Sequence, residues 1–288
     1  MFDVNVVLDS MAPCGKRLTT IVATYPRFIH SEIMTHRDRA RNSASSRAIP
    51  WPKMKQMIGD NPVVPIRFRS EQKGMQTGGE IEFPEAAESV WLKARDAALR
   101  YAQDLADMGV HKSIVNRLTE PFMWITVVMT ATEWANFFRL RCHPDAEIHF
   151  QKIAGMIRDA MDASVPQLPP KIFRPLSQRD NDDGGEYWHL PFVTGRDLDD
   201  LLSGRYSLHE IKCISAARSA RVSYLTHDGI RDPKLDIGLF EKLVQGSGFG
   251  HFSPHEHVAQ GMDELVRSGP YIGWKQFRKE FSLENQAG

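Results

Sequence analysis

Two runs of apolar, mostly β-branched residues near the start of the chain predict an antiparallel hairpin. The first extends from Val4 to Leu8 and the second from Leu18 to Ala23, with a polar segment that contains Pro and Gly between them. Short runs of this kind, separated by turn-forming residues, are typical of two paired strands. Pro26 suits the first turn of a helix, so we expect a helix over residues 27–41.

The most basic and most hydroxyl-rich stretch of the chain extends from Thr35 to Arg47, with four arginines, one histidine and three serines. A helix over 27–41 brings its basic residues to the last turn, where the helix dipole favours cations. The prolines at 50 and 52 predict that this helix ends in a rigid turn near Asn42. Guanidinium groups beside hydroxyls and free backbone N–H groups suit a phosphate and a neighbouring polar ring. A solvated basic helix face is the alternative.

The middle of the chain predicts several helices. Apolar residues recur every three or four positions in a helix from Pro84 to Gly109. A short helix is expected over 111–118 and an amphipathic helix over 145–162. The run over 122–140 is apolar on all sides at first, which predicts a buried helix or a strand that leads into one. Residues 61–83 show no regular pattern.

Prolines cluster between residues 166 and 191, and the polar run over 177–186 predicts a linker or mobile loop there. Beyond it, Ser207 and Glu210 match a capping box, so a helix is expected from Leu208 towards Tyr224. Further helices are expected over 234–245 and 270–281. The glycines at 246, 248 and 250 follow a helix, so they indicate a C-cap and turn and not a nucleotide-binding loop.

Composition limits the class of protein. The chain has 288 residues, 42% of them hydrophobic, and Lys+Arg and Asp+Glu balance at 36 each. This predicts one large or two small globular domains, with no bulk charge for nucleic acid or an anionic membrane. Cys14, Cys142 and Cys213 lack C-x-x-C spacing, and no apolar run is long enough to span a bilayer. We therefore expect a soluble, cytoplasmic protein.

The segment His251 to His257 has three histidines and one glutamate, which is compatible with a metal site. Pro254 makes helical ligand geometry doubtful, so a turn with satisfied histidines and recognition of a polar planar cofactor stay open. Ser45 lacks a G-x-S-x-G elbow, which argues against a serine hydrolase. Cys142 lies beside Arg141, yet a small buried apolar role suits it better than that of a nucleophile.

Four motifs together resemble the flavin-dependent thymidylate synthases, the ThyX family. The family signature Arg-His-Arg, seven residues, Ser is similar to Thr35-His36-Arg37 with Ser45 and Arg47. A His, Ser/Thr-Pro, Glu-His motif corresponds to residues 251–257. An Asn-Phe-x-x-Leu-Arg motif with a following helix corresponds to 136–148, and an Ala-Arg-Val-Ser-Tyr motif to 220–224.

The order of these motifs differs from that in most of the family, where the motifs that correspond to 220–224 and 251–257 precede the Arg-His-Arg motif. The resemblance therefore implies a circularly permuted form, as in viral relatives, of an α+β fold with an antiparallel sheet and a helical bundle. The chain is expected to be a single catalytic domain over 1–288. Its permuted halves would be 1–165 and 192–288, joined by the Pro-rich linker 166–191.

The resemblance also implies roles for individual residues. Ser45, Arg141 and His36 would be catalytic. The dUMP phosphate and uracil would contact Glu32, Arg37, Ser43, Ala44, Ser45, Ser46, Arg47, Arg117 and Arg141. FAD would be held by His36, Arg37, Asp38, Asn136, Leu140, Ser223, His251, Ser253 and Glu256. No metal ligand is implied.

The implied reaction is the reductive methylation of dUMP to dTMP. NADPH would reduce FAD, methylenetetrahydrofolate would supply the one-carbon unit to C5, and reduced flavin would supply the hydride. A homotetramer with shared active sites, in a bacterial or phage-infected cytoplasm, is implied as well.

Several departures from the family pattern keep alternatives open. Thr35 replaces an arginine, Ser43 an acidic residue and Ser46 a glycine, and Thr130 and Thr132 replace polar residues on the flavin side. Arg39, Arg41 or a basic residue elsewhere would have to replace the missing guanidinium. A related C5 modification such as hydroxymethylation is the first alternative, and a nucleotide-binding module without catalysis is the second.

Overall fold

The computed structural model describes residues 1–74, 76–173, 185–226, 229, 231–245 and 250–281. Its first sheet has four antiparallel strands in the order β1-β2-β4-β3. These strands are β1 (Asp3–Met11), β2 (Arg17–Pro26), β3 (Ala40–Ser43) and β4 (Trp124–Ala131). The hairpin predicted from the first two apolar runs is therefore confirmed. Strand β3 lies at the edge, where Ala40 is opposite Thr130 and Ser43 is opposite Val127.

One face of this sheet packs against helices α5 (Ala135–Arg141) and α6 (Ile148–Asp162). Alternate residues of β2 and β4 point to this face, and they meet the apolar stripe of α6. The shared core contains Ile21, Ala23, Tyr25, Ile125, Val127, Met129, Phe137, Phe150, Ile153 and Ile157. Each fully buried large side chain of this kind stabilises the fold by about 1.5–3 kcal/mol.

The opposite face of the sheet carries buried threonines together with the apolar Val22 and Val128, which pack against Phe192 and Val222 from the second half of the chain. A second antiparallel sheet, in the order β10-β7-β6-β5, packs there. Its strands are β5 (Lys171–Phe173), β6 (Gly185–His189), β7 (Ala259–Gly261) and β10 (Trp274–Gln276). A two-stranded ribbon, β8 (Arg267–Ser268) with β9 (Tyr271–Ile272), precedes β10.

A buried chain of hydrogen bonds joins the two sheets. Ser10 Oγ lies 2.7 Å from His189 Nδ1, and His189 Nε2 lies 2.7 Å from Thr20 Oγ1. Thr20 Oγ1 lies 2.7 Å from Thr130 Oγ1, which lies 2.8 Å from His257 Nδ1. This series of hydrogen bonds crosses strands β1, β2 and β4. Burial lowers the pKa of both histidines to about 3, so both rings are neutral.

A third core lies among α2 (Trp51–Asp60), α3 (Pro84–Asp107) and α4 (Lys112–Val115). Gly109 follows α3 with a φ of +82°, a left-handed conformation that glycine adopts without strain, so it ends the helix as predicted. Short helices α1 (His30–Ile33) and α7 (Gly195–Leu202), and longer helices α8 (Leu208–Arg221) and α9 (Pro233–Gln245), complete the set in the described residues.

Helix α8 is buried on nearly all sides. Ser207 and Glu210 form both bonds of the predicted capping box. The guanidinium of Arg218 is buried and paired with Asp197 at 2.6 Å and Asp236 at 2.7 Å. Such a charge is tolerated because several carboxylate oxygens satisfy it at once. The helices predicted over 84–109, 145–162, 208–224 and 234–245 are confirmed with small shifts at their ends.

Residues 111–118 form α4 and the start of the 3₁₀-helix Asn116–Phe122, as expected, and 122–140 is a strand that leads into a helix. No α-helix or β-strand falls within the described part of 61–83. Gly246 and Gly248 lie outside the described residues, and Gly250 has a φ of +64°. None of the described helices is long and apolar enough to cross a bilayer.

The helix predicted over 27–41 is wrong. The helical structure in this segment is limited to a 3₁₀ turn (Arg27–Ile29) and α1. Residues 40–43 form strand β3 instead. The edge of β4 offers a complete hydrogen-bond ladder to this segment. In addition, Arg41 Nη1 donates to the carbonyls of Met34 (3.0 Å) and His36 (2.8 Å), which fixes the turn between α1 and β3. The expected rigid turn at Asn42 is therefore a strand.

The Pro-rich segment 166–191 is not a plain linker. Gln167 exchanges backbone hydrogen bonds with β1, and β5 pairs with β6. The residues between them, 174–184, lie outside the described part of the chain. The closing helix predicted over 270–281 is also wrong, since β9, β10 and the 3₁₀-helix Phe277–Glu280 occupy it. Gly273, with a φ of +72°, breaks the helical pattern there.

Candidate functional site

Strand β3 is the meeting point of three segments that are distant in sequence. It packs against the 3₁₀-helices Val222–Tyr224 and Ser253–His257. The Asn42 amide donates to Ser219 O and Ser223 Oγ, both at 3.1 Å. The backbone N–H of Ser45 donates to Ser223 O at 3.0 Å. The basic stretch, the end of α8 and the 251–257 segment thus share one region.

Glu256 faces this region from the 3₁₀-helix that carries it. Its carboxylate pairs with Arg278, and its backbone carbonyl accepts a 2.8 Å hydrogen bond from the Tyr271 hydroxyl. Burial lowers the pKa of the Arg41 guanidinium, and the charge of Glu256 acts against this shift. Glu256 and Arg41 are therefore close enough to stabilise each other electrostatically.

His36 and Arg141 form a direct contact between the basic stretch and the end of α5. Arg141 Nε donates to His36 Nε2 at 2.9 Å. The Arg141 guanidinium stacks on Phe150, with 4.4 Å between Cζ and the ring centroid. His36 is buried, and burial followed by Arg39 and Arg141 lowers its pKa, so the imidazole is neutral and accepts through Nε2.

The outer edge of Arg141 remains available. Within the described residues its terminal nitrogens have no ion-pair partner, and it lines an open cleft with Leu140, His143 and Ala146. A guanidinium held at Nε and over its plane presents its two Nη groups in a fixed direction. This geometry suits a carbonyl-rich ring or a carboxylate.

Arg39 has a structural role. It is buried, its guanidinium lies 4.7 Å from the Trp134 ring and 4.3 Å from the Phe137 ring, and it pairs with Asp38 at 2.9 Å. Arg41 is bound to the carbonyls of the preceding turn. The two arginines that were expected to compensate for Thr35 are thus occupied, and Thr35 itself is exposed and donates to Glu32 O at 2.6 Å.

A tight turn over residues 45–49, hereafter the 45–49 turn, follows β3. Ser45 O accepts from the N–H groups of Ala48 (3.0 Å) and Ile49 (3.3 Å). The buried Asn116 amide donates to Ser46 O at 2.5 Å and Ile49 O at 3.0 Å. Lys112 Nζ donates to Ala48 O at 3.0 Å. Lys112 of α4 and Asn116, which follows α4, therefore hold the turn in place.

Three basic residues belong to the 45–49 turn or to the segment that holds it. Arg47 is exposed, and no ion pair or hydrogen bond engages its side chain within the described residues. Arg117 is also exposed, and its Nε donates to Ser113 O at 3.2 Å. Lys112 is the third basic residue, and its contact with Ala48 O brings it to the turn. Basic side chains together with serine hydroxyls are the groups that bind a phosphate.

Glu32 lies on the Arg141 side of the site. Burial, and then the charge of Glu147, raise the pKa of the Glu32 carboxyl, while Arg141 acts in the opposite direction. Glu147 caps α6 and lies 2.5 Å from His149 Nδ1. Glu32, Glu147 and Arg141 are therefore neighbours. Glu32 is available to accept a hydrogen bond from a bound ring.

The structure does not bring every predicted residue into direct contact. Asn136 and Leu140 are exposed on α5, and the side-chain Oδ1 of Asn136 accepts a hydrogen bond from Arg139 Nη2 at 2.9 Å. His251 and Ser253 are exposed at the start of the other segment. Among the described residues no hydrogen bond joins these four to the basic stretch. Arg37 is exposed as well.

Sequence reasoning missed three residues that shape the site. Asn42 ties β3 to α8, and Asn116 and Lys112 hold the 45–49 turn. A polar asparagine next to Arg117, in a segment otherwise amphipathic, was the available signal for Asn116. His149 also bridges helix α6 and the 61–83 segment, since its Nε2 accepts from the N–H of Ile66 at 2.9 Å. Within the described residues no cluster of His, Cys, Asp and Glu is arranged for a metal.

No protein-family model and no curated protein matches the sequence. Among the solved structures that resemble the chain are two of a UMP/dUMP methylase, PolB, from Streptomyces cacaoi. The one bound with 5-Br dUMP is 16% identical, covers 56% of this chain and 90% of that chain, and has a TM-score of 0.46. The one bound with 5-Br UMP is 16% identical, covers 56% and 88%, and has a TM-score of 0.47.

Proposed function

We propose that the chain is a flavin-dependent enzyme that modifies C5 of a pyrimidine nucleotide, with the reductive methylation of dUMP to dTMP as its reaction. The observation that supports this is the convergence on β3. Three of the motifs that resemble flavin-dependent thymidylate synthases meet there through Asn42, Ser45 and Glu256. The fourth meets the basic stretch through the Arg141 contact with His36.

The 45–49 turn is the proposed phosphate site. Arg47 and Arg117 would pair with phosphate oxygens, and the hydroxyls of Ser45 and Ser46 would donate to them. Ser43, Ala44, Glu32 and Arg37 would line the path from the phosphate to the base. Hydrogen bonds to a charged group contribute about 1.5–3 kcal/mol each, so the loss of one should be measurable.

The residues assigned to FAD offer a suitable set of donors and acceptors. Residues 36–41 extend from α5, where Arg39 is stacked, to the 3₁₀-helix of Glu256, so one side of this segment faces both groups. Arg37, Asp38, Ser223, Glu256, His251, Ser253, Asn136 and Leu140 would then contact different parts of the cofactor. Bound flavin, reduced by NADPH, would supply the hydride that completes the methyl group carried by methylenetetrahydrofolate.

The role of Arg141 in this scheme is electrostatic. Its Nη groups would donate to a uracil carbonyl and stabilise negative charge that develops on the ring. His36 would act partly through Arg141, because its Nε2 accepts the Arg141 Nε–H and so positions the guanidinium. Its assignment to catalysis and to FAD binding stays a prediction. Burial raises the pKa of the Cys142 thiol, which does not favour a nucleophilic thiolate there.

A C5 hydroxymethylation is the second candidate, and the Thr35 environment favours it. At this point of the family motif the chain has no guanidinium, and both neighbouring arginines are engaged elsewhere. A site with one cation fewer holds the base differently. Methylenetetrahydrofolate would still supply the carbon to C5, and water in place of the flavin hydride would complete a hydroxymethyl group, with release of tetrahydrofolate.

Spectroscopic titration tests the proposal. Purified protein with FAD should show a bound-flavin spectrum that changes when dUMP is added, because the two rings would stack. Arg47→Ala should weaken dUMP binding about 10- to 100-fold while flavin stays bound. Arg158→Ala, on the exposed face of α6, is the matched control. Protein that binds no flavin, or a flavin spectrum that does not respond to dUMP, would refute the proposal and favour a nucleotide-binding module.

A further inference from the structure

A cavity beside α7, hereafter the α7 cavity, is separate from the candidate site. The segment before α8 and the first turn of α9 form its other walls, and no residue assigned above to dUMP or FAD lines it. Its volume is about 530 Å³, and small-molecule sites span roughly 300–1,000 Å³. The α7 cavity is therefore large enough for a ligand the size of a nucleotide.

The lining of the α7 cavity carries more positive than negative charge. Its basic residues are Arg196, Arg205, Arg231 and Lys234, and its acidic residues are Asp197, Asp200 and Asp232. Asp197 belongs to a buried network in which Arg218 and Arg221 balance Asp197 and Asp236. Four basic and two acidic residues remain, which is an excess of two positive charges. This balance favours a ligand with more than one negative charge.

The two remaining carboxylates are already engaged, whereas two of the cations are free. Asp232 Oδ1 accepts from the Lys234 N–H at 2.9 Å, and Asp200 Oδ1 accepts from Arg205 Nη1 at 3.4 Å. Arg196 and Lys234 are exposed, and no hydrogen bond or ion pair engages either side chain within the described part of the chain. Both side chains are therefore available to pair with an anionic ligand.

Arg231 is held in position by a strained segment of backbone. Its Nη1 donates to Phe192 O at 2.9 Å, and the same carbonyl accepts from Arg218 Nη1 at 2.9 Å. Phe192 has a φ of +64°, a left-handed conformation that is costly for a large side chain. Strain of this kind persists where the surrounding contacts enforce it, and it clusters at ligand sites. The Phe192 carbonyl thus fixes the Arg231 guanidinium at the wall of the α7 cavity.

The two ends of the α7 cavity differ in chemistry. Arg231 lies near the start of α7 through its bond to Phe192, and Tyr206 lies near Asp200, because its N–H donates to Asp200 O at 3.3 Å. Thr194 and Asp200 are about 9 Å apart along α7. Guanidinium and ammonium groups bind phosphates, and an aromatic ring is a surface on which a base stacks. A nucleoside with a chain of phosphates offers both kinds of group.

We propose that the α7 cavity binds a nucleoside triphosphate. Arg196, Arg231 and Lys234 bind the phosphates, and Tyr206 stacks on the base. The first turns of α7 and α9 line the same cavity, so the partial positive charge at the start of each helix adds to the attraction. The proposal does not depend on the chemistry at the candidate site, so either proposal can fail without the other.

Isothermal titration of the full chain with ATP tests the site. The wild type should bind ATP with a Kd below about 1 mM. Arg196→Gln combined with Lys234→Gln should weaken ATP binding at least tenfold, because two phosphate-binding cations are lost. The matched control is Arg158→Gln combined with Lys242→Gln, which removes the same charge from exposed positions outside the cavity and should bind ATP as the wild type does.

Three results of this titration would overturn the proposal. One is the absence of ATP binding to the wild type at about 1 mM. Another is wild-type affinity in the cavity variant. The third is an equal loss of affinity in the two double variants, which would indicate attraction to the overall charge of the protein and not binding in the α7 cavity.

Two further measurements identify the site and the ligand. Arg47→Ala should bind ATP as the wild type does, because Arg47 belongs to the 45–49 turn. A loss of ATP binding in this variant would place ATP at the candidate site and contradict the proposal. Inorganic tripolyphosphate should bind more weakly than ATP, and Tyr206→Leu should remove this difference. Tripolyphosphate that binds as tightly as ATP would contradict recognition of the base.

Discussion

The Nε–H of Arg141 donates to Nε2 of His36 across 2.9 Å, and these two residues are 105 positions apart in the chain. The bond requires a neutral imidazole that accepts through Nε2, and it leaves the two Nη groups of Arg141 directed to the open cleft. Phe150 supports the guanidinium, and Phe137 and Phe150 contact the imidazole edge-on. Two residues that the sequence assigns to separate motifs thus act as one unit.

Replacing Arg141 with lysine should weaken dUMP binding roughly 10- to 100-fold. An ammonium group cannot donate to His36 and also present two parallel donors to a ring. Isothermal titration with dUMP measures the effect. Arg139→Lys, two positions earlier on the exposed side of α5, should bind dUMP as the wild type does. Equal dUMP affinity of Arg141→Lys and wild type would show that the Arg141 guanidinium does not contact the nucleotide.

The acid dependence of dUMP binding should report on His36. Its pKa lies below the ordinary value of 6.5, so the ring stays neutral above that pH and takes up a proton only in more acid solution. Protonation removes the acceptor for Arg141, and dUMP affinity should then fall. His36→Gln keeps an acceptor that does not titrate. The phosphate of dUMP itself takes up a proton near pH 6, so the informative quantity is the difference between wild type and variant; identical profiles would contradict this role.

Asn116→Ala should damage the 45–49 turn. The substitution leaves the carbonyls of Ser46 and Ile49 without their buried donor, which should cost about 1–3 kcal/mol of unfolding free energy. Urea unfolding measures this cost. At temperatures where the variant is still folded, its dUMP affinity should also be reduced, because Arg47 loses its fixed backbone. A destabilised variant with wild-type dUMP affinity would show that the 45–49 turn is not part of the nucleotide site.

Glu256→Ala should release flavin before it affects dUMP binding. Glu256 faces β3 and is paired with Arg278, so its loss changes the cofactor side of the site. The flavin content of the purified variant, measured by absorbance, should fall several-fold. Glu264→Ala, at an exposed position outside this region, serves as the control. Full flavin content in Glu256→Ala would argue against the cofactor assignment.

The buried histidines predict loss of stability in acid. The folded-state pKa of His189 and His257 is about 3, whereas the unfolded value is about 6.5. Stability from these groups is therefore complete above pH 6.5 and is lost as pH falls towards 3, by roughly 2 kcal/mol per histidine at pH 5.

Urea unfolding at pH 7.5 and pH 5 measures this loss. His257→Asn retains an acceptor near Thr130 without titrating, so its loss of stability between the two pH values should be smaller by about 2 kcal/mol. His111→Asn, at an exposed helix cap, should show the wild-type difference. An unchanged difference in His257→Asn would indicate that this histidine is not buried as a neutral ring.

Much of the fold could be predicted where local patterns decide the structure. The hairpin of β1 and β2 follows from its β-branched runs, and α8 begins at the capping box that Ser207 and Glu210 predict. Helix α3 follows from its 3.6-residue periodicity. In each case the local preference and the tertiary packing agree.

The prediction failed where tertiary contacts decide the structure. Residues 40–43 have helix-compatible composition, but the free edge of β4 and the bonds from Arg41 make them a strand. Helix α2 was missed because Pro50 and Pro52 suggest a turn, although Pro52 lies in the first helical turn, where it is tolerated. The strands at 271–276 depend on pairing with β7 and β8, which local sequence does not indicate.

The motifs of the candidate site could be found from sequence, and their mutual geometry could not. The pairing of His36 with Arg141 and the stacking of Arg39 on Trp134 and Phe137 assign these basic residues different tasks. Composition alone gives them the same charge and the same expected role. Burial distinguishes them.

Mass analysis of the reaction product tests the central claim most directly. Protein incubated with dUMP, FAD, NADPH and methylenetetrahydrofolate should convert dUMP into a nucleotide that is heavier by one methylene unit, which is dTMP. A product that retains one additional oxygen would select hydroxymethylation. Recovery of unmodified dUMP from flavin-loaded, folded protein would contradict the account.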